Sequence, residues 1–236
     1  MKIKKIRKMN EAAWVIGIIV CALGVCMCTK ANFGLSMIAA PPYILHVWLR
    51  DMLPWFTQGT SEYVWQALVM VIMCVAIRGF KARYLLSFGT AVLSGLALDG
   101  WIWIFGGNGA YEEMWLRIVM FVVGELVTTL AVAFIFRTTL PIQIYELAVC
   151  EIATKFGFDK NKVKLVNDIL MLVVSAIMSF VLTGGLGGFG VGTILITIVN
   201  APLIAMFGKL IDKMFVFDSR FPKLFGDGMK ISEKNS

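Results

Sequence analysis

Three stretches of this chain hold residue types and spacings that could do chemistry. Gly185-Leu186-Gly187-Gly188-Phe189-Gly190 has the G-x-G-x-x-G spacing of a loop that cradles a pyrophosphate. Cys26 and Cys28 form a C-x-C pair that could begin a metal site. Glu125 stands alone as a carboxylate in VMFVVGELVTTLAVAF, with Thr128 and Thr129 three and four residues on, on the same helical face. What each can do depends on the elements that hold it.

Those elements are written in the composition. Of 236 residues, 59% are hydrophobic and 16% charged, and the mean hydropathy is +0.82. Apolar runs near the bilayer-spanning length of about 20 residues cover 12–29, 63–77, 85–106, 115–136, 165–182 and 190–207. The sequence therefore predicts an all-α polytopic membrane protein of six transmembrane helices, the second being the shortest run. The N-terminal MKIKKIRK has no small-x-small cleavage site after its apolar run, so that run reads as the first span rather than a signal peptide.

A net charge of +7 could suggest nucleic acid, but placement decides otherwise. If the N-terminus is cytoplasmic, all but three of the 22 Lys and Arg lie on the inner side, the exceptions being Lys30, Arg50 and Arg117. That asymmetry is the positive-inside rule, and it implies a membrane protein with both termini cytoplasmic and no nucleic-acid partner.

In this setting the soluble-enzyme motifs lose their context. GLGGFG follows a membrane span instead of a strand, so its glycines suit a tight outer turn between the fifth and sixth spans. Glu112-Glu113-Met114-Trp115-Leu116-Arg117 fits the E-E-x-x-x-R pattern of the CAAX-type membrane proteases, whose site also needs histidines on later helices. The single histidine, His46, precedes the motif and is expected on an interfacial helix, while the acids suit the start of the fourth span. The five cysteines lie in or beside apolar runs or in a loop, with no four-ligand pattern. We expect no disulfide, no metal, no cofactor and no enzymatic activity.

The chain also echoes itself. Segments of about 30 residues follow the first and fourth spans, and each holds a proline-opened helical stretch, PPYILHVWLRDML from Pro41-Pro42 and PIQIYELAVCEIATK from Pro141. Gly89-Thr90 in the third span recurs as Gly192-Thr193 in the sixth. Three intervening spans force the second copy to enter the membrane from the opposite side. The expected architecture is two inverted three-helix repeats, about 12–106 and 115–210, each with an interfacial or re-entrant helix after its first span, followed by a cytoplasmic tail, 211–236. The third and sixth spans are then expected near the pseudo-two-fold axis.

Several segments, TKANFGLSMIAAPPYIL, the YE of PIQIYELAVCEIATKFG, KVKLVNDIL and above all GFGVGTILITIVNAPLIAMFGKLID, resemble the YczE/YitT-like family of bacterial integral membrane proteins across about residues 12–213. Ala201-Pro202 stands where that family tends to have Gly-Pro. The resemblance implies a permease-like membrane fold and no particular substrate.

Polar residues inside the spans carry the functional reading. A charge at the bilayer centre costs about 2.5–3.5 kcal/mol, so Glu125 should face the bundle interior. Asn200 sits mid-span beside Pro202, which removes a backbone donor and is expected to break the sixth helix as at transporter sites. Asp99 lies near the outer end of the third span. The expected function is a permease in the lipid bilayer that carries a small molecule or ion by alternating access, with Glu125, Thr128, Thr129, Asn200 and Asp99 as ligands; a homodimer is left open. The alternatives are a substrate-binding subunit of a multicomponent importer, which would need a partner surface on 137–164, and a non-transporting scaffold or regulator.

Overall fold

The computed structural model describes residues 6–218 except 139, 141 and 186. Eight helices follow in order: α1 (Asn10–Ala31), α2 (Ala40–Leu49), α3 (Gln58–Ile77), α4 (Arg83–Ile104), α5 (Met114–Ile135), α6 (Ile144–Phe156), α7 (Lys160–Thr183) and α8 (Val191–Met214). The chain is helical apart from β1 (Ile6–Met9) and β2 (Phe215–Asp218), a two-stranded parallel ribbon that pairs Ile6 with Phe215 and Met9 with Asp218. Six helices, α1, α3, α4, α5, α7 and α8, are long and apolar enough to cross a membrane. Their outward faces carry Val71, Leu96, Val122, Val181 and Ile198 in the open, as lipid-facing surfaces do.

The ends of the spans follow local chemistry. α3 starts five residues before the expected Tyr63 because Thr57 caps it, its hydroxyl accepting from Thr60 N at 3.0 Å. Asp159 caps α7 in the same way, accepting from Lys162 N. Pro41 and Pro42 occupy the first turn of α2, where a missing N–H costs nothing. Pro141 and the tail from 219 onward lie outside the described residues.

α1 and α5 form the most extensive interface in the bundle and cross at Gly24 and Gly124. A β-carbon on Gly24 would stand 2.7 Å from the Gly124 carbonyl oxygen, and one on Gly124 would stand 2.9 Å from the Gly24 carbonyl oxygen. The backbones touch because neither residue has a side chain. The centre of the molecule is thus this pair rather than the third and sixth spans, which share no extensive interface. Around it, α1 packs on α4 and α5 on α8, α2 packs on α7 and α6 on α3, and α2 meets α3 while α6 meets α7. α3 also packs closely on α4 through Gly59 and Gly95, and no comparable interface joins α7 to α8.

The two short helices are not surface straps. Met37, just before α2, shares one apolar core cluster with Ile142, Ile144 and Tyr145 at the start of α6 and with Val69 and Met73 of α3. Both connecting segments therefore run into the body of the bundle before their helices turn back out.

The repeated Gly-Thr dipeptides occupy different surroundings. Gly192 lies against the Phe33 carbonyl oxygen and the Phe121 ring, while a β-carbon on Gly89 would meet nothing. In the fifth-to-sixth-span turn, Gly188 and Gly190 are required by close approach, while a β-carbon on Gly185 would meet nothing. Gly188, at φ +77°, would drive a β-carbon to 2.5 Å from Tyr43 Cδ1, and its carbonyl accepts from Leu35 N at 3.2 Å.

Candidate functional site

The first turn of α6 enters the bundle between α3 and α4 and brings polar groups to mid-span depth. The Ile144 N–H donates to Gln66 Oε1 at 3.1 Å. Gln66 Nε2 in turn donates to Glu62 Oε1 at 3.0 Å, and the Tyr145 hydroxyl donates to the same oxygen at 3.2 Å. Beside them, Gln143 Nε2 donates to Ser94 Oγ of α4 at 3.4 Å. Gln66 and Tyr145 are buried, so these bonds form away from water, where each is strong and each unmade one costly. A helix N-terminus carries partial positive charge, so α6 directs its favourable end toward the Glu62 carboxylate.

Glu125 lies on α5, outside this hydrogen-bonded cluster. It is 8% exposed, and its Oε1 has no hydrogen-bond partner. Cys21 of α1 is within electrostatic range of both Glu62 and Glu125, so two carboxylates flank one turn of the central helix. Thr128 and Thr129 sit on the α5 face expected for them, but their hydroxyls are engaged with the carbonyls of Gly124 and Glu125 one turn back. They smooth helix packing instead of presenting donors to a cavity.

The other expected ligands are dispersed. Asp99 is a cap: Oδ1 accepts from Gly59 N at 2.8 Å and Oδ2 from the Thr57 hydroxyl at 2.6 Å, which fixes the start of α3 against α4. α8 runs unbroken through Pro202, whose ring is exposed on the lipid side, so no helix break exists there. Asn200 is half-buried with Oδ1 unpartnered. Gly192 packs on Phe121 and Gly208 on Arg137, which sets Asn200 about level with Thr129, and no hydrogen bond joins it to Glu125. His46 belongs to α2, where it is 3% exposed with Nδ1 2.8 Å from the Phe56 carbonyl oxygen. Burial pushes its imidazole below the ordinary value, which keeps the ring neutral at pH 7. Among the described residues no group of three or more His, Cys, Asp or Glu could hold a metal ion.

Glu62, Gln66, Gln143 and Tyr145 were not among the expected ligands. The signal for the first two is a Glu and a Gln four residues apart at the start of the second span; hydropathy puts Glu62 just outside the apolar run and Gln66 just inside it.

A family model described as a family of unknown function, DUF6198, matches residues 8–209. The chain belongs to this family. The match takes in the first five spans, the sixth as far as residue 209, both short helices and every residue of the polar cluster. An uncharacterized protein, YyaS, of Bacillus subtilis (strain 168) is similar at 22% identity over 210 residues, covering 87% of this chain and 95% of that protein. No solved structure matches. Neither the family description nor the relative's name gives an activity.

Proposed function

We propose that this DUF6198 member is a secondary transporter of a small solute in the bacterial cytoplasmic membrane, without catalytic chemistry of its own. The observation that carries the reading is the polar cluster at the tip of α6. Polar and ionisable groups at membrane depth are costly and mark solute or ion paths. Here Glu62, Gln66 and Tyr145 converge where a helix end and a non-helical segment reach mid-span, and non-helical backbone is tolerated at that depth only inside protein or along a cavity.

The packing supports two inverted halves, α1–α4 and α5–α8. Exchanging the halves maps the α1–α4 interface on α5–α8 and the α2–α7 interface on α6–α3, with α1–α5 mapped on itself. The solute would lie between the halves beside Cys21, bounded by Glu62 from one and Glu125 from the other, and the halves would rock about the Gly24–Gly124 crossing. The YczE/YitT-like resemblance agrees with a permease. An importer subunit is less well supported, because α6, which lies in the required docking segment, spends Glu146 and Glu151 on Lys164, Lys81 and Arg83 of its own chain.

Two experiments test this. Glu62→Gln and Glu125→Gln keep the size and hydrogen-bonding capacity of the side chains while removing the charge. Uptake per folded molecule, screened over small metabolites against a knockout, should fall at least about tenfold in one of them with the melting temperature held. If both variants transport at the parental rate per folded molecule, the site lies elsewhere. The distribution of basic residues further predicts that reporters fused to either terminus are active only in the cytoplasm, and an external terminus would overturn the assigned orientation.

A further inference from the structure

The side of the bundle opposite the terminal ribbon bears a cleft of about 330 Å³, away from the Glu62 cluster. Its wall includes Lys30, Arg50, His46 and Tyr43, together with backbone from Gly107 to Ala110 and from Gly187 to Gly188. Two of the three basic residues on this side of the molecule thus line one cavity, with the chain's single histidine. No Asp or Glu lines it.

Lys30 makes this arrangement unusual. It is 4% exposed, yet no carboxylate lies within ion-pair distance of it among the described residues. Its ammonium donates to the Gly107 carbonyl oxygen and stands 5.8 Å from the Tyr111 ring centroid, both electrically neutral partners. A buried cation without a counter-charge carries a desolvation cost that a carbonyl and a ring offset only in part. Arg50 is no better matched, since its one ion-pair partner among the described residues, Asp51 at 3.6 Å, has a side chain 86% exposed. The His46 ring is anchored through Nδ1 on Phe56, and its Nε2 has no hydrogen-bond partner among the described residues.

We propose that this cleft binds a small oxyanion, with Lys30 as the buried counter-charge and Arg50 at the rim. A carboxylate or phosphate group would supply the missing negative charge and accept from both cations through charge-assisted hydrogen bonds. The volume suits a small metabolite. The inference goes beyond the transporter reading: the site binds its anion whether or not the protein then carries it.

The test is calorimetric titration of the purified full-length protein in nanodiscs of neutral lipid, with inorganic phosphate and with succinate as probes and sodium chloride at matched ionic strength as reference. At least one probe should bind saturably. Lys30→Met should weaken binding at least about tenfold, the effect expected for loss of a charged hydrogen-bond donor. Arg50→Gln lies at the partly exposed rim, so it keeps the test decisive if Lys30→Met fails to fold; it should weaken binding severalfold. A lipid headgroup is the other source of the same chemistry. If neither soluble probe binds in neutral nanodiscs, and nanodiscs containing phosphatidylglycerol raise the melting temperature of the parent but not of Arg50→Gln, the oxyanion is a lipid phosphate. Absence of binding by both probes and of the lipid effect overturns the proposal, as does binding that both variants retain unchanged.

Discussion

Gly24→Val should yield almost no folded protein. At the α1–α5 crossing a β-carbon on Gly24 would stand 2.2 Å from Thr128 Oγ1 and 2.7 Å from both the Thr128 nitrogen and the Gly124 carbonyl oxygen. The hydroxyl could rotate away, but the other two atoms belong to the backbone of α5 and move only if the helices part. Separation would strip packing from Ile18, Ala131 and Ile135, which are buried along the same seam. Overpacking a core costs about 1–3 kcal/mol when side chains can yield, and here the obstacle is backbone, so Gly24→Ala should already lose at least that much and Val more. Gly89→Ala is the control: it adds a methyl to open space in the same kind of helix. Folded yield by size exclusion in detergent and the melting temperature decide the matter. Gly24→Val melting with the parent would mean that the two helices do not cross where described.

The second large effect is expected at Glu151, on the basic side of the bundle. Its carboxylate is buried at 7% exposure and receives Lys81 Nζ at 2.7 Å, the Tyr84 hydroxyl at 2.8 Å and the Arg83 guanidinium. These donors join α6 to the α3–α4 turn and the start of α4. Burial alone would raise the carboxyl's pKa, but the hydrogen bonds from Lys81, Tyr84 and Arg83 outweigh it and hold the group below its ordinary value. A carboxyl with a depressed folded-state pKa contributes stability that is fully present above its unfolded value and is lost as pH falls through the folded one. Glu151→Ala should therefore cost about 2–3 kcal/mol at neutral pH, toward the low end for a broken ion cluster because Lys81 and Arg83 can reach water. The gap in melting temperature between parent and Glu151→Gln should hold at pH 6–7 and narrow as the pH drops below about 4.5. A gap that stayed constant to pH 3 would remove the carboxylate's charge from the explanation.

Glu125 shows what could be read from the chain alone: a single acid in an unbroken apolar run has to be inward-facing, and it is. The six spans were legible for the same reason, since hydropathy over about 20 residues needs no knowledge of neighbours. Glu62 was not legible, because Gln58, Thr60 and Ser61 dilute the first turn of α3 and the helix is started there by a cap, which hydropathy does not register. Its partner Tyr145 is far away in sequence and meets it only because the segment before α6 turns into the bundle. The surroundings of Asp99 and Pro202 were not legible for a shared reason. Whether a polar residue near a span end is a ligand or a cap, and whether a proline interrupts a helix or faces lipid, depends on what packs alongside. The Gly-Thr echo is a likeness of sequence whose two copies meet different neighbours, which spacing alone does not reveal.

The ribbon of β1 and β2 bears on the order in which the molecule is made. β1 precedes the first span and β2 follows the last, so during synthesis β1 is made before any span while its partner is the last described element to be made. Its hydrogen bonds can form only after α8 has been inserted and its end has returned to the side from which α1 departed. Closing so long a stretch of chain carries an entropic cost that the bundle must already have met by holding α1 and α8 in place. A chain that inserted one span too few would carry β2 to the opposite side of the membrane and leave β1 an unpaired edge.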